Sequence, residues 1–148
     1  MKRKLLLAAL LLPILANAQV TKDIQTLYPK AKSTTEIKGQ WTQINGPRNH
    51  VLGYVAYSKP ASNNIRGYAG ETPLLIAFDK NQKIIAVKLL SNNETPSYVN
   101  RIAATGFLNS WNGLTPAQAR TKKVDAVSGA TYTSTSIIKS LQARLKNL

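Results

Sequence analysis

The chain has 148 residues, and 20 Lys and Arg against 6 Asp and Glu give it a net charge of +14 at pH 7. It has no cysteine, which excludes disulfides, thiolate metal centres, iron–sulfur clusters and a lipid-modified cysteine at a processing site. The cations are spread along the chain without a basic helix or an aromatic-flanked cluster. The charge therefore reads as solubility and attraction to an anionic membrane surface or an acidic protein, with no nucleic-acid partner.

Lys2-Arg3-Lys4, the apolar run Leu5 to Leu15 and Ala16-Asn17-Ala18 follow the basic, apolar, small-x-small order of a secretory signal peptide. The apolar run contains Pro13 and falls well short of the about 20 residues that a membrane span requires. Residues 1–18 are thus read as a signal peptide and 19–148 as one exported domain, periplasmic or at the outer face of the cytoplasmic membrane. Three of the 20 cations lie in the leader.

Thr21 to Ala31 has Ile24, Leu27 and Tyr28 on one helical face, with Pro29 ending the run. Thr34 to Lys38 and Trp41 to Ile44 read as strands around Gly39, and Asn45-Gly46-Pro47 as a turn. His50 to Lys59 is apolar on both alternating sets, Val51, Val55 and Tyr57 against Leu52, Tyr54 and Ala56, as in an interior strand. Gly67-Tyr68-Ala69-Gly70 leads into Pro73 to Phe78. Asp79-Lys80-Asn81-Gln82 turns the chain, and Lys83 to Leu90 completes a hairpin. Helical spacing follows over Thr95 to Ala104 and Phe107 to Trp111, then a short helix opening at Thr115-Pro116. Val124 to Val127 is expected as a last strand before the closing helix, where Ile137, Leu141, Leu145 and Leu148 share a face. The expected fold is α+β: one domain, a mainly antiparallel sheet, helices packed on one side and a C-terminal helix after a Ser-Gly-Ala-Thr turn.

Two stretches carry candidate chemistry. At Ser128-Gly129-Ala130-Thr131 a glycine turn runs into a helix start crowded with the hydroxyls of Thr131, Thr133, Ser134, Thr135 and Ser136. Such a start offers free N–H groups and the positive end of a helix dipole, the recipe for holding a phosphate, and also describes an ordinary capped helix. Glu94-Thr95-Pro96 reads either as capping, with Thr95 as N-cap and Pro96 first in the helix, or as part of a site facing that turn. His50 is the sole histidine. A Ser128–His50–Asp125 hydrolase lacks the Gly-x-Ser-x-Gly elbow, and the six dispersed carboxylates assemble no metal centre.

Asp125-Ala126-Val127-Ser128-Gly129-Ala130-Thr131 resembles the Asp-x-x-Ser/Thr-Gly-Ala-Thr flavinylation motif of the FMN-binding domain family. That family includes the C subunit of the sodium-translocating NADH:quinone oxidoreductase and the G subunit of the related Rnf complex. The resemblance extends, in the family's order, to Gly67-Tyr68-Ala69-Gly70, the strand Leu75 to Asp79 with its return Lys83 to Val87, and Glu94-Thr95-Pro96. It covers most of residues 51–145. Gln82 stands where the family usually has glycine, a change expected to alter the turn type, and Ser97 stands where Glu-Thr-Pro is usually followed by glycine.

The resemblance implies FMN attached through its phosphate to Thr131 by a flavin transferase acting outside the cytoplasm on FAD. Gly129 and Ala130 are small enough for close approach, while N–H groups and the hydroxyls of Thr133 and Ser134 would satisfy the remaining phosphate charge, with Ser128 in support. Asp125 is assigned to recognition or to a metal during attachment, and Glu94, Thr95 and Tyr68 to the wall of the ring or ribityl chain. The implied role is electron carriage from a membrane quinol- or NADH-linked donor to an extracytoplasmic reductase. The alternatives are a small FMN-dependent reductase acting on a soluble substrate, and a non-redox envelope module without flavin.

Overall fold

Leu74 to Phe78 offers no polar side chain to either side, and the chain folds so that neither side meets water. In the computed structural model, which describes residues 19–148, this strand is fourth in a five-stranded antiparallel meander. The strands are β1 (Ser33–Ile37), β2 (Trp41–Asn45), β3 (Val51–Tyr57), β4 (Leu74–Asp79) and β5 (Ile84–Leu89), in that spatial order. The leader pattern at residues 1–18 lies outside the described residues. Among those described, no helix is long and apolar enough to cross a membrane.

Alternation along β4 divides the core in two. Leu74, Ile76 and Phe78 face α2 (Pro96–Ala104), α3 (Pro116–Thr121) and α4 (Thr131–Leu145), meeting Ile102, Trp111, Ile137 and Leu141. Leu75 and Ala77 face the other way, toward Ile44, Val55 and the short α1 (Lys22–Leu27), whose Ile24 and neighbouring Tyr28 and Ala31 cover part of that face. Each fully buried Leu, Ile or Phe contributes roughly 1.5–3 kcal/mol, so β4 is the strand the fold can least do without. Both sides of β3 are apolar, as expected. Leu52, however, packs on the side of Val55 rather than with Tyr54 and Ala56, next to the register break between Ile44 and Asn45.

One expected strand needs correction. Val124 to Val127 forms no strand: the Val127 N–H donates to Ser134 Oγ at 2.8 Å instead of to a ladder. The start of β5 is instead bonded by the 113–114 turn, through Ile84 N–H to Leu114 O and Gly113 N–H to Ile84 O. The closing helix begins at Thr131, directly after the Ser-Gly-Ala-Thr turn as expected, and its early turns bury Thr133, Ser134 and Ser136 ahead of the apolar stripe. The stripe itself behaves as read: Ile137, Leu141 and Leu145 are buried.

The β4–β5 turn keeps the backbone form that a glycine would give it. Gln82 sits at φ +62°, in the left-handed region, while Asp79 Oδ1 accepts from Asn81 N–H and Lys83 N–H. The glutamine therefore bears a strain that a glycine would not. Gln82→Gly is expected to stabilise the domain by roughly 0.5–1 kcal/mol, the left-handed penalty less glycine's entropy. Urea denaturation checks this, and an unchanged or lower midpoint would contradict it.

Candidate functional site

The site is assembled where the connection between β3 and β4, the start of α2 and the start of α4 meet. In the connection, Gly67 N–H bonds Gly70 O at 2.6 Å and closes a tight loop. The next three N–H groups all turn inward to one carboxylate. Tyr68 N–H donates to Glu94 Oε2 at 3.0 Å, and Ala69 and Gly70 N–H donate to Oε1 at 2.7 and 2.9 Å. The Thr133 hydroxyl, from the first turn of α4, donates to Oε2 as a fourth donor. Glu94 itself is set by an Asx turn at the end of β5, where Asn92 Oδ1 accepts from Glu94 N–H at 2.9 Å.

Glu94 is only 5% exposed, and burial alone would raise its carboxyl. Hydrogen bonds from Thr133, Ala69, Tyr68 and Gly70 outweigh that burial and hold it below the usual carboxylate range. It is an anion saturated by the protein's own donors. Gly67 is required by the same arrangement, since a Cβ there would lie 2.7 Å from Glu94 Oε2 and 2.9 Å from its Cδ. Two sequence candidates, Glu94 and Thr133, are thus joined to each other beneath the site.

The hydroxyls around the Ser-Gly-Ala-Thr turn, equivalent by sequence, are sharply sorted by burial. Thr133 and Ser134 are both 0% exposed. The Ser134 hydroxyl donates to Ala130 O at 2.8 Å and accepts from Val127 N–H. Ser136, also buried, pairs with Thr72 Oγ1 and Thr133 O. The expectation that Thr133 and Ser134 hydroxyls face a phosphate is therefore corrected: their oxygens bind the protein. Thr131 is exposed, at the first position of α4. The preceding residue, Ala130, supplies no side-chain cap, so the first-turn N–H groups of Thr131, Tyr132 and Thr133 have neither an intrahelical acceptor nor a capping side chain. Gly129 holds φ +79°, which an L side chain adopts only under strain.

A cleft of about 210 Å³ opens at this point, lined by Tyr68, Tyr98, Gly129, Ala130, Thr131, Tyr132 and Thr133. Tyr68 and Tyr98 meet edge to face with centroids 5.2 Å apart. Tyr68 is 61% and Tyr132 72% exposed, large values for aromatic rings and suited to a planar partner lying over them. Among the sequence candidates, Tyr68, Gly129, Ala130, Thr131 and Thr133 line this cleft, and Glu94 supports it from below. Ser128 and Asp125 are exposed in the segment entering the turn and do not line it. Ser134 is interior. Thr95 is the N-cap residue of α2, without a side-chain capping bond, and also lies off the cleft.

Sequence reasoning missed Tyr98, Tyr132 and Arg101. Tyr132 stands inside the hydroxyl-rich run, where nothing local separates its ring from the hydroxyls around it. Tyr98 falls one helical turn beyond Glu94, a spacing that could have placed it beside the loop that Glu94 holds. Arg101 lies a further three residues along α2, its side chain across Gly129.

The cleft thus brings together exposed aromatic rings, an uncapped helix start and an exposed threonine. The chain belongs to the FMN-binding domain family: the family's model matches residues 67–146, which span every residue of this site. It is also 24% identical to the G subunit of the proton-translocating ferredoxin:NAD(+) oxidoreductase complex of Clostridium ljungdahlii, over 92% of this chain and 77% of that protein.

Proposed function

We propose that this protein is an exported electron carrier whose FMN is held by a phosphoester bond to Thr131. The observation that carries the assignment is the sorting of hydroxyls. Thr131 is exposed and lines the cleft, whereas Thr133, Ser134 and Ser136 are buried and hydrogen-bonded inside, and Ser128, also exposed, lies off the cleft. Attachment exchanges the Thr131 O–H for an O–P bond to the flavin phosphate of FAD, with AMP as leaving group and the hydroxyl proton released. The first-turn N–H groups of α4 are placed for the remaining phosphate charge.

Bound there, FMN supplies one- and two-electron redox chemistry. The cleft's about 210 Å³ is below the 300–1,000 Å³ of sites that enclose a ligand, which supports a flavin edge left open to a protein partner. The family, together with a relative named as a subunit of a ferredoxin:NAD(+) oxidoreductase complex, favours carriage between proteins over turnover of a soluble substrate. On this reading a flavin transferase loads the protein, a membrane quinol- or NADH-linked flavoprotein reduces it and an extracytoplasmic reductase oxidises it. Export rests on the leader pattern at residues 1–18, and peripheral contact with an anionic membrane on the cationic surface.

Coexpression with a flavin transferase is expected to raise the intact mass of the chain by FMN less one water, and Thr131→Ala is expected to abolish the gain. The variant should keep the wild-type melting temperature within about 2 °C, because Thr131 is exposed and caps nothing. An equal gain in both proteins would refute Thr131 as the anchor. Fast turnover of a small soluble acceptor by the loaded protein, without a partner, would refute carriage.

A further inference from the structure

Arg101 stands in the last turn of α2, and its side chain lies across the attachment turn. A Cβ built on Gly129 would be 3.1 Å from both Cζ and Nε of Arg101 and 3.3 Å from its Cδ. The guanidinium thus fills the space that any side chain at position 129 would take. Thr131 is two residues further on, at most about 7 Å along the backbone, within the sweep of an arginine side chain. Despite this position, the guanidinium makes no ion pair or hydrogen bond with any described residue.

Acidic groups near this turn do not compete for it. Glu94 is buried and saturated by four donors, the first turns of α2 and α4 contain no acidic residue, and Asp125 is exposed in the incoming segment. What sits here is an unpaired, fork-shaped cation with five donors, beside a helix start whose N–H groups are uncapped. These are complementary donors from two different elements that meet at the Gly129–Thr131 turn: the helix start lines the cleft, and Arg101 lies against Gly129 just outside that lining.

Resting on the flavin reading above, we propose that Arg101 binds the phosphate oxygens of the FMN and so fixes the ribityl phosphate against the start of α4. The phosphodiester retains one negative charge, and a guanidinium can take two of its oxygens in parallel, which neither the helix N–H groups nor a lysine would reproduce. The glycine at 129 then has a second duty beyond its φ: it leaves room for the guanidinium.

The test compares FMN with riboflavin, which carries the same ring and ribityl chain without the phosphate. Binding of each to the unloaded chain is followed by quenching of flavin fluorescence, in wild type, Arg101→Gln and Arg101→Lys. Arg101→Gln should weaken FMN binding about tenfold or more and leave riboflavin binding unchanged. Arg101→Lys should recover part of the loss, and 0.5 M salt should narrow the gap. Parallel losses for both ligands, or none for FMN, would overturn the proposal. A second readout uses the covalently loaded protein: the rise in melting temperature on loading should be smaller in Arg101→Gln than in wild type, and an equal rise would overturn the proposal. The two readings fail differently. A wild-type chain that neither gains FMN mass nor binds free flavin sinks the flavin assignment and Arg101 with it, whereas normal loading with an Arg101-independent phosphate preference sinks Arg101 alone.

Discussion

Replacing Glu94 with Ala is expected to lower the unfolding free energy by about 3 kcal/mol at pH 7 and to free the Gly67–Gly70 loop. Three N–H groups and the Thr133 hydroxyl converge on this carboxylate, and truncation strands them together. Water can reach the more exposed Tyr68 and Ala69 side of the loop, which keeps the loss near one buried charge rather than four separate bonds. Glu94→Gln removes the charge and turns an N–H₂ toward at least one donor, so about 2 kcal/mol is expected there. Because the Tyr68 loop forms one wall of the cleft, both variants should also load flavin poorly, although neither touches Thr131. The pH dependence carries a definite sign. Glu94 is held below its ordinary 4.5 in the folded protein, so its stabilisation is complete above that value and is lost as pH falls through the lower, folded value. The difference in unfolding free energy between wild type and Glu94→Gln should be constant from pH 7 to 5 and shrink below pH 4.5. A gap that grew with acid would mean that Glu94 is neutral in the native state.

The second large effect lies away from the site, at Gly53 in β3. A Cβ there would press into the Phe78 carbonyl oxygen across the ladder and come within 2.9 Å of Tyr28 Cε1. The β4–β5 register breaks between Ala77 and Phe78, and Tyr28 meets the backbone at that point. Its hydroxyl accepts from Phe78 N–H at 3.0 Å and lies 2.7 Å from Phe78 O and 2.9 Å from Tyr54 O, serving backbone groups that the ladder leaves over. Gly53→Ala should cost about 3 kcal/mol, the upper end of overpacking, since the obstructing atom is backbone and cannot rotate away. Tyr28→Phe should cost about 2 kcal/mol by orphaning those groups, and should not rescue Gly53→Ala, because the Phe78 carbonyl and the ring carbon Cε1 both remain. Chemical denaturation of the two single variants and the double variant decides the point. Full rescue in the double variant would place the clash at the Tyr28 hydroxyl, 3.2 Å from the same Cβ, instead.

Much of the fold was legible because its apolar patterns are unambiguous. Leu74 to Phe78 is buried on both faces, the Ile137–Leu141–Leu145 stripe faces the sheet, and the Thr115-Pro116 start forms a capping box with Gln118. The strand expected at Val124 to Val127 failed for a reason invisible to periodicity: the Val127 N–H has a side-chain acceptor, Ser134, seven residues on. The site was legible in its members and not in their roles. Glu94, Thr133 and Ser134 were singled out for a cofactor, yet all three spend their polar atoms on the protein. Only three-dimensional burial distinguishes a hydroxyl that holds the turn together from one that is offered outward. Arg101 and Tyr132 escaped notice because an arginine and a tyrosine in helices have no local pattern that sets them apart, and Tyr98 carried only its one-turn spacing from Glu94. Their meaning comes from the elements that fold onto them.

The central claim, one flavin on one hydroxyl, is tested most directly by mapping the loaded protein. Cleavage after Lys123 and Lys139 releases Val124–Lys139, which contains the hydroxyls of Ser128, Thr131, Tyr132, Thr133, Ser134, Thr135 and Ser136. Fragmentation of that peptide should place a mass of FMN less one water on Thr131 and leave the other six unmodified. An unmodified peptide from flavin-loaded protein, or the same mass on Ser128 or any other hydroxyl, would contradict the assignment.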